Sequence, residues 1–197
     1  MCTSYRYDPM RQRPPVTLSR RRLLAATATA AIAGCLGDTD EPAPVDIGDD
    51  AVCDQCGMVI ATQPGPVGQA WFDGDAPEGR DGPAWFCSST CTYQYVFDRE
   101  ADGIDATVVY LTDYSAVDWS TSAEDGVAFI SAHLGADDVG RAPDLHLVAN
   151  SDLRGSMGPD LIGFSGEGDV DEFMAEYGGT SYRHDEVTPA LIASLSA

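Results

Sequence analysis

Trp85-Phe86-Cys87-Ser88-Ser89-Thr90-Cys91-Thr92-Tyr93-Gln94-Tyr95-Val96-Phe97 is the run on which the fold turns. Two aromatic residues lead into a serine pair. Serine starts helices because its hydroxyl oxygen accepts from an otherwise unpaired N–H of the first turn. The run therefore predicts an extended entry followed by a helix to about residue 97. Downstream, Thr107-Val108-Val109-Tyr110-Leu111 is rich in β-branched and aromatic residues and reads as a strand. Upstream, Met58-Val59-Ile60-Ala61 is strand-like and stops at Pro64-Gly65-Pro66. Val67 to Phe72 reads as the returning strand, and residues 73–83 as an Asp/Gly/Pro-rich loop.

The same order recurs. Leu145 to Ala149 and Leu161 to Phe164 read as strands. Asp169 is expected to cap a helix whose apolar stripe is Val170, Phe173, Met174 and Tyr177, ended by Gly178-Gly179. Thr180 to His184 closes the set, and Thr188-Pro189 opens a short helix over residues 190–195. The expected class is α+β, with two similar ββαβ halves at about 51–118 and 127–188 and a short C-terminal helix within 189–197. Residues 112–144 carry the weakest pattern.

The N-terminus reads as an address. Ser19-Arg20-Arg21-Arg22 precedes an apolar run from Leu23 to Gly34, too short to span a bilayer as a helix. The arginine pair resembles a twin-arginine export signal, and Ile32-Ala33-Gly34-Cys35 resembles a lipobox. The expectation is a signal over residues 1–34, lipid attachment at Cys35, and a membrane-anchored lipoprotein on the extracytoplasmic face. Cys2 would leave with the signal. Residues 36–50 are acidic with prolines and are expected to form a mobile linker, with the globular part starting near Ala51.

The formal charge is −21, and the chain has no lysine. Six of its eleven basic residues lie before Cys35, so the remainder is more acidic still. Such a surface suits very high salt, where screening suppresses self-repulsion, and points to a halophilic source. It makes nucleic-acid binding improbable. Carboxylates are hard ligands that do not select a soft ion such as Cu(I), so the acidic residues read as solvated surface. No Ser/His/Asp arrangement, phosphate loop or paired-carboxylate motif stands out, and the chain does not read as an enzyme.

Sulfur is the informative chemistry. Cys53 and Cys56 are spaced C-x2-C, Cys87 and Cys91 C-x3-C. This spacing supports a shared metal site, and four cysteines also allow disulfides or free buried thiols. Redox catalysis fits poorly, because the C-x2-C pair is followed by Gly57 and strand-like residues rather than by a helix. Met58 follows Cys56 closely enough for both side chains to share a face of an extended segment. Met157 sits between Gly155 and Gly158 with Pro159 after it, a turn with little packing demand for a methionine. Met174 belongs to the helix stripe. His133, His146 and His184 read as structural or surface residues, His184 having the additional option of completing a metal shell.

In combination, Cys53-x2-Cys56-Gly57-Met58, Pro64-Gly65-Pro66 with Gln69-Ala70, Trp85-Phe86, Thr112-Asp113-Tyr114, Val148-Ala149-Asn150-Ser151, Gly155-Ser156-Met157-Gly158-Pro159, Phe164, and Phe173 to Val187 resemble the NosL family. These are the lipoproteins that accompany nitrous oxide reductase. The resemblance spans residues 51–188. It implies an extracytoplasmic Cu(I) chaperone serving assembly of the copper–sulfide centre of nitrous oxide reductase, and hence denitrification. It also implies a fold of paired ββαβ halves. The family's cysteine and first methionine match Cys56 and Met58, and its second methionine matches Met157. Many members lack an equivalent of Cys53.

Cys87 and Cys91 depart from that pattern and instead resemble small cysteine-based metal modules of the TRASH or YHS-like kind. Two arrangements follow. Either Cu(I) uses Cys56, Met58 and Met157 while the other cysteines bind separately, or all four cysteines hold one ion with the methionines as an entry site. The alternative function is a lipoprotein whose four cysteines bind Zn(II) structurally beside a protein-binding surface.

Overall fold

A computed structural model describes residues 41–74, 77 and 80–196. The signal and the lipidation residue expected from the sequence lie outside the described residues.

The first half contains β1 (Gly68–Phe72), β2 (Ala84–Phe86), helix α1 (Ser89–Ala101) and β3 (Ala106–Thr112). Strand β1 lies in the centre, antiparallel to both β2 and β3. A hairpin follows, the polar β4 (Thr121–Glu124) and the apolar β5 (Val127–Ile130), and then β6 (Val139–Arg141), which extends the first sheet beyond β3. The second half contains β7 (His146–Ala149), the short β8 (Leu153–Arg154), β9 (Ile162–Phe164), α2 (Glu167–Tyr177) and β10 (Thr180–Tyr182). Again the first strand is central: β7 is antiparallel to both β9 and β10. With β8 set aside as the parallel partner of β5, both halves have one topology. The α+β class and the ββαβ repeat are therefore as the sequence predicts. Helix α3 (Pro189–Leu195) closes the chain, with Thr188 Oγ accepting from Leu191 N.

The halves join edge to edge. Asp113, just after β3, bridges Gly163 of β9 in parallel, and Tyr114 N donates to Gly163 O at 2.9 Å. The alternation of β7 then divides the core, because successive side chains leave opposite faces of a strand. Leu147 and Ala149 pack into a cluster with Phe86, Leu111, Val96 and Ile192. Val148 faces a second cluster with Phe164, Val170 and Phe173, the buried stripe of α2.

Three local expectations change. Residues 58–61 form no strand: Val59 makes one bridge to Val52, and Ile60–Thr62 turn as a short 3₁₀ helix. Helix α2 starts earlier than Asp169, with Gly166 at its cap, so Asp169 lies in its first turn. There its charge still favours the helix N-terminus. Residues 41–47 run along the domain rather than away from it. Arg141 pairs with Glu41, Tyr110 Oη donates to Pro42 O, and the buried Gln69 exchanges two hydrogen bonds with the Val45 backbone. The acidic composition of this stretch conceals those backbone partners.

Candidate metal centre

The C-x2-C segment folds as a tight knuckle. Cys53 N donates to Met58 O, and Gly57 N returns to Cys53 O, both at 2.9 Å. Gly57 has φ of +78°, where a side chain would be strained, so glycine at this position lets the chain reverse. The reversal brings Cys56 back over Cys53 instead of extending toward Met58. Asp54 then fixes the knuckle to β2. Its carboxylate accepts from Trp85 N at 2.7 Å and from the guanidinium of Arg80, which also lies 3.9 Å over the Trp85 ring. Asp54 N in turn donates to Trp85 O at 2.9 Å. Charge-assisted bonds of this kind hold geometry better than neutral ones.

Trp85 leads directly to the second cysteine pair. Ser88 caps α1 by accepting from Cys91 N at 2.8 Å. Cys87 thus precedes the cap and Cys91 sits in the first turn. Helix α1 lies close on β1, since a Cβ on Gly68 would fall 2.1 Å from Thr92 Oγ1.

These elements bring all four sulfurs together. The Sγ atoms of Cys53, Cys56, Cys87 and Cys91 lie within 4.8 Å of one another. Cys56 and Cys87 are 3.4 Å apart, and Cys87 and Cys91 3.9 Å. A tetrahedron of thiolates around an ion at a metal–sulfur distance of about 2.3 Å has sulfur–sulfur edges of about 3.8 Å. The donor set and spacing therefore fit a soft or borderline ion. Cys56 is exposed and the other three are buried, so the site has one accessible ligand.

The second half supplies a cover. Gly155 and Gly158 exchange backbone hydrogen bonds at 2.8 and 3.1 Å, closing a two-residue turn over Ser156 and Met157. Ser156 Oγ donates to Cys87 O at 2.7 Å, which seats this turn against the cysteine cluster. Met157 is 45% exposed, whereas Met58 packs half-buried against the first core. Beneath the turn lies Asp160, fully buried. Its Oδ1 accepts from Thr90 N, Thr90 Oγ1 and Leu161 N, each at 2.9 Å, and its Oδ2 has no partner. Burial pushes this carboxyl up to about 7.

The thiols do not titrate alike. Hydrogen bonds from Cys87 and Cys91 hold Cys53 well below the ordinary thiol range. Hydrogen bonding to Cys53, together with burial, pushes Cys87 up to about 12 and raises Cys91 further. Without an ion the cluster thus concentrates one thiolate among retained protons. An incoming cation stabilises further thiolates and displaces those protons.

The structure brings together the four cysteines named from the sequence and sets the Met157 turn beside them. Met58 belongs to the knuckle but faces the core. Met174 lies on the half-buried edge of the α2 stripe. His184 is committed elsewhere, with Nδ1 2.8 Å from Tyr93 Oη, and His133 pairs with Ser131. Sequence reasoning missed Asp54, Arg80, Ser156 and Asp160. Of these, Asp54 and Ser156 carry a signal, by lying inside the C-x2-C spacing and inside the glycine-flanked methionine turn.

A family model for NosL matches residues 44–192. The chain is 30% identical to the copper-binding lipoprotein NosL of Stutzerimonas stutzeri, over 89% of this chain and 83% of that protein. Among solved structures, it is similar to the crystal structure of the copper chaperone NosL from Shewanella denitrificans, at 26% identity and a TM-score of 0.58, covering 76% of this chain and 98% of that one. The cysteine-and-methionine site, the repeated half and these matches lead to one conclusion: the chain belongs to the NosL family.

Proposed function

We propose that this chain is a lipid-anchored, extracytoplasmic Cu(I) chaperone that carries copper and passes it to a client, and that the client is nitrous oxide reductase during assembly of its copper–sulfide centre. The observation carrying this reading is the set of four sulfurs within 4.8 Å of one another, with Cys56 exposed and the Met157 turn seated against Cys87. In this reading Cys53, Cys56, Cys87 and Cys91 hold the ion. Thiolates supply affinity, and softness excludes the hard cations that the acidic surface attracts. Met157, a neutral thioether at the exposed edge, is an exchangeable station for copper entering or leaving. Met58 is a second thioether in the knuckle, reachable only with a side-chain movement. The relatives named as copper-binding and copper-chaperone proteins support the cargo.

A second reading keeps the same geometry. Four thiolates at tetrahedral spacing also suit structural Zn(II), making the site a stabilising element of a protein-binding module. Cu(I) competition titration of the reduced chain decides between them, beside its Cys56→Ala and Met157→Ala variants. Copper carriage predicts tight Cu(I) binding that Cys56→Ala weakens at least about tenfold and Met157→Ala weakens less. Zinc purifying at one equivalent, with Cu(I) bound only after its removal and no effect of Met157→Ala, refutes the carrier reading.

A further inference from the structure

Away from the cysteines, helix α2 carries two adjacent stripes. Phe173 and Tyr177 are four apart and share one face. Glu172 and Glu176 form the next stripe round the helix, also four apart, with Asp169 a turn earlier. The acidic stripe works against the helix that bears it. Like charges at this spacing repel, and Glu176 stands in the last turn, which favours cations and holds no basic residue.

The two stripes meet at a cleft of about 180 Å³. Its floor is Tyr114, Phe164 and Phe173, all buried, and its walls are the half-buried Trp119 and Tyr177. Trp119 stands at 63° to Phe173 and 64° to Tyr177, with ring centroids 6.0 and 6.2 Å apart, so the rings make a corner rather than a stack. Asp169, Glu172 and Glu176 are exposed and form the rim. No basic residue lines the cleft, and the chain has no lysine.

We propose that this cleft binds a small quaternary ammonium cation. The proposal goes beyond copper carriage and does not rest on it, since the cleft belongs to the second core cluster and the buried cysteines lie in the first. Aromatic faces attract cations through the ring quadrupole, most usefully when the cation has little hydration to lose. Carboxylates alone are no guide in so acidic a chain. Here they also fail to converge: among the described residues, the cysteines are the group close enough together to hold a metal ion. A metal ion or a protonated amine needs acceptors within bonding distance. The floor supplies none, because the Tyr114 hydroxyl donates to Ser131 O and Ser115 Oγ accepts from Gly166 N. A fully methylated ammonium forms no hydrogen bonds. Ring contact satisfies it, and separated rim carboxylates balance its charge. The volume admits a headgroup-sized ligand, drug-sized ones taking about 300 Å³ or more. A phosphate joined to the ammonium group would face Glu172 and Glu176, which sets a free cation such as choline above a phosphocholine headgroup.

NMR titration of the isotope-labelled chain with choline chloride tests this, in a fixed high concentration of NaCl that screens non-specific attraction to the acidic surface. Dimethylbutanol, the uncharged isostere of choline, and phosphocholine are run beside it. The expected result is saturable shifts of the Trp119 indole and the α2 amides with choline, and at least about tenfold weaker binding of both comparison compounds. Trp119→Leu should weaken choline at least about fivefold, and Glu172→Gln with Glu176→Gln at least about threefold. The rim pair alters only exposed side chains, so it decides the matter even where Trp119→Leu loosens the second core. Equal binding of choline and dimethylbutanol overturns the cation site and leaves an apolar cleft. Phosphocholine binding as tightly as choline overturns the free cation in favour of a lipid headgroup. Choline binding that the rim pair leaves unchanged, or no saturation by about 50 mM, overturns the proposal outright.

Discussion

Replacing Asp160 by asparagine should remove a pH dependence from the stability of this protein. Asp160 is fully buried with Oδ2 unpartnered, and burial raises its carboxyl from 3.8 to about 7. Between those values the unfolded chain releases the proton while the folded chain retains it. Stability contributed by this group is therefore greatest at low pH, is lost as pH rises, and levels off above about 7. The full span corresponds to roughly 4 kcal/mol, and between about pH 5 and about pH 8 the loss is roughly 2.5 kcal/mol. Asparagine keeps the acceptor toward Thr90 and Leu161 and carries no titrating proton. It also places an unsatisfied amide against Gly155, costing about 1–3 kcal/mol at every pH. Urea unfolding of metal-free parent and Asp160→Asn chains at both pH values isolates the group, because the other carboxylates cancel in the difference. The gap between the two proteins should shift by roughly 2.5 kcal/mol in favour of the variant on going to the higher pH. A gap that does not change with pH refutes the protonated, unpartnered Asp160.

Asp54→Ala should lower stability by about 1–3 kcal/mol, since Arg80 and Trp85 N lose their carboxylate, and should weaken metal binding by at least about tenfold as the knuckle detaches from β2. Unchanged metal affinity in a folded variant would exclude this strut. Metal binding should release at least about two protons per ion near neutral pH, because Cys87 and Cys91 are held protonated by the Cys53 thiolate. Affinity should accordingly fall as pH is lowered; calorimetry in buffers of different ionisation enthalpy measures the count, and a value of zero contradicts the cluster electrostatics. Gly68→Ala should destabilise by about 1–3 kcal/mol, with Thr92 and Leu111 both forced aside; a melting temperature equal to the parent's would mean that α1 does not sit so close to β1.

The legible parts of the fold were those governed by local chemistry. Ser88 announced α1 because a cap is a contact within four residues, and Val170 and Phe173 announced α2 by their spacing. The cap of α2 was misplaced because Gly166 has no side chain to signal it, whereas Asp169 looks like a cap from composition alone. The false strand at Met58 to Ala61 arose from β-branched residues whose conformation is set by the Gly57 reversal and the knuckle bonds. Residues 112–144 were opaque because Thr121 to Glu124 is exposed on both faces, so no alternation marks it. The parallel pairing of β5 with β8 is non-local and leaves no trace in either segment. At the site, cysteine spacing identified the ligands. The residues that support them act through partners far along the chain: Asp160 on Thr90, Ser156 on Cys87, and Arg80 on Asp54. One aspartate among so many carries no mark of burial.

The docking of Glu41 to Ile47 against the domain limits the freedom of the whole molecule. With lipid on Cys35, as proposed, only five residues of sequence separate the anchor from Glu41, and the covalent reach of five residues is at most about 18 Å. The protein would be leashed at the bilayer surface rather than roaming the space outside it. Copper would then have to be received and surrendered within one protein diameter of the membrane, by partners that themselves come to that surface.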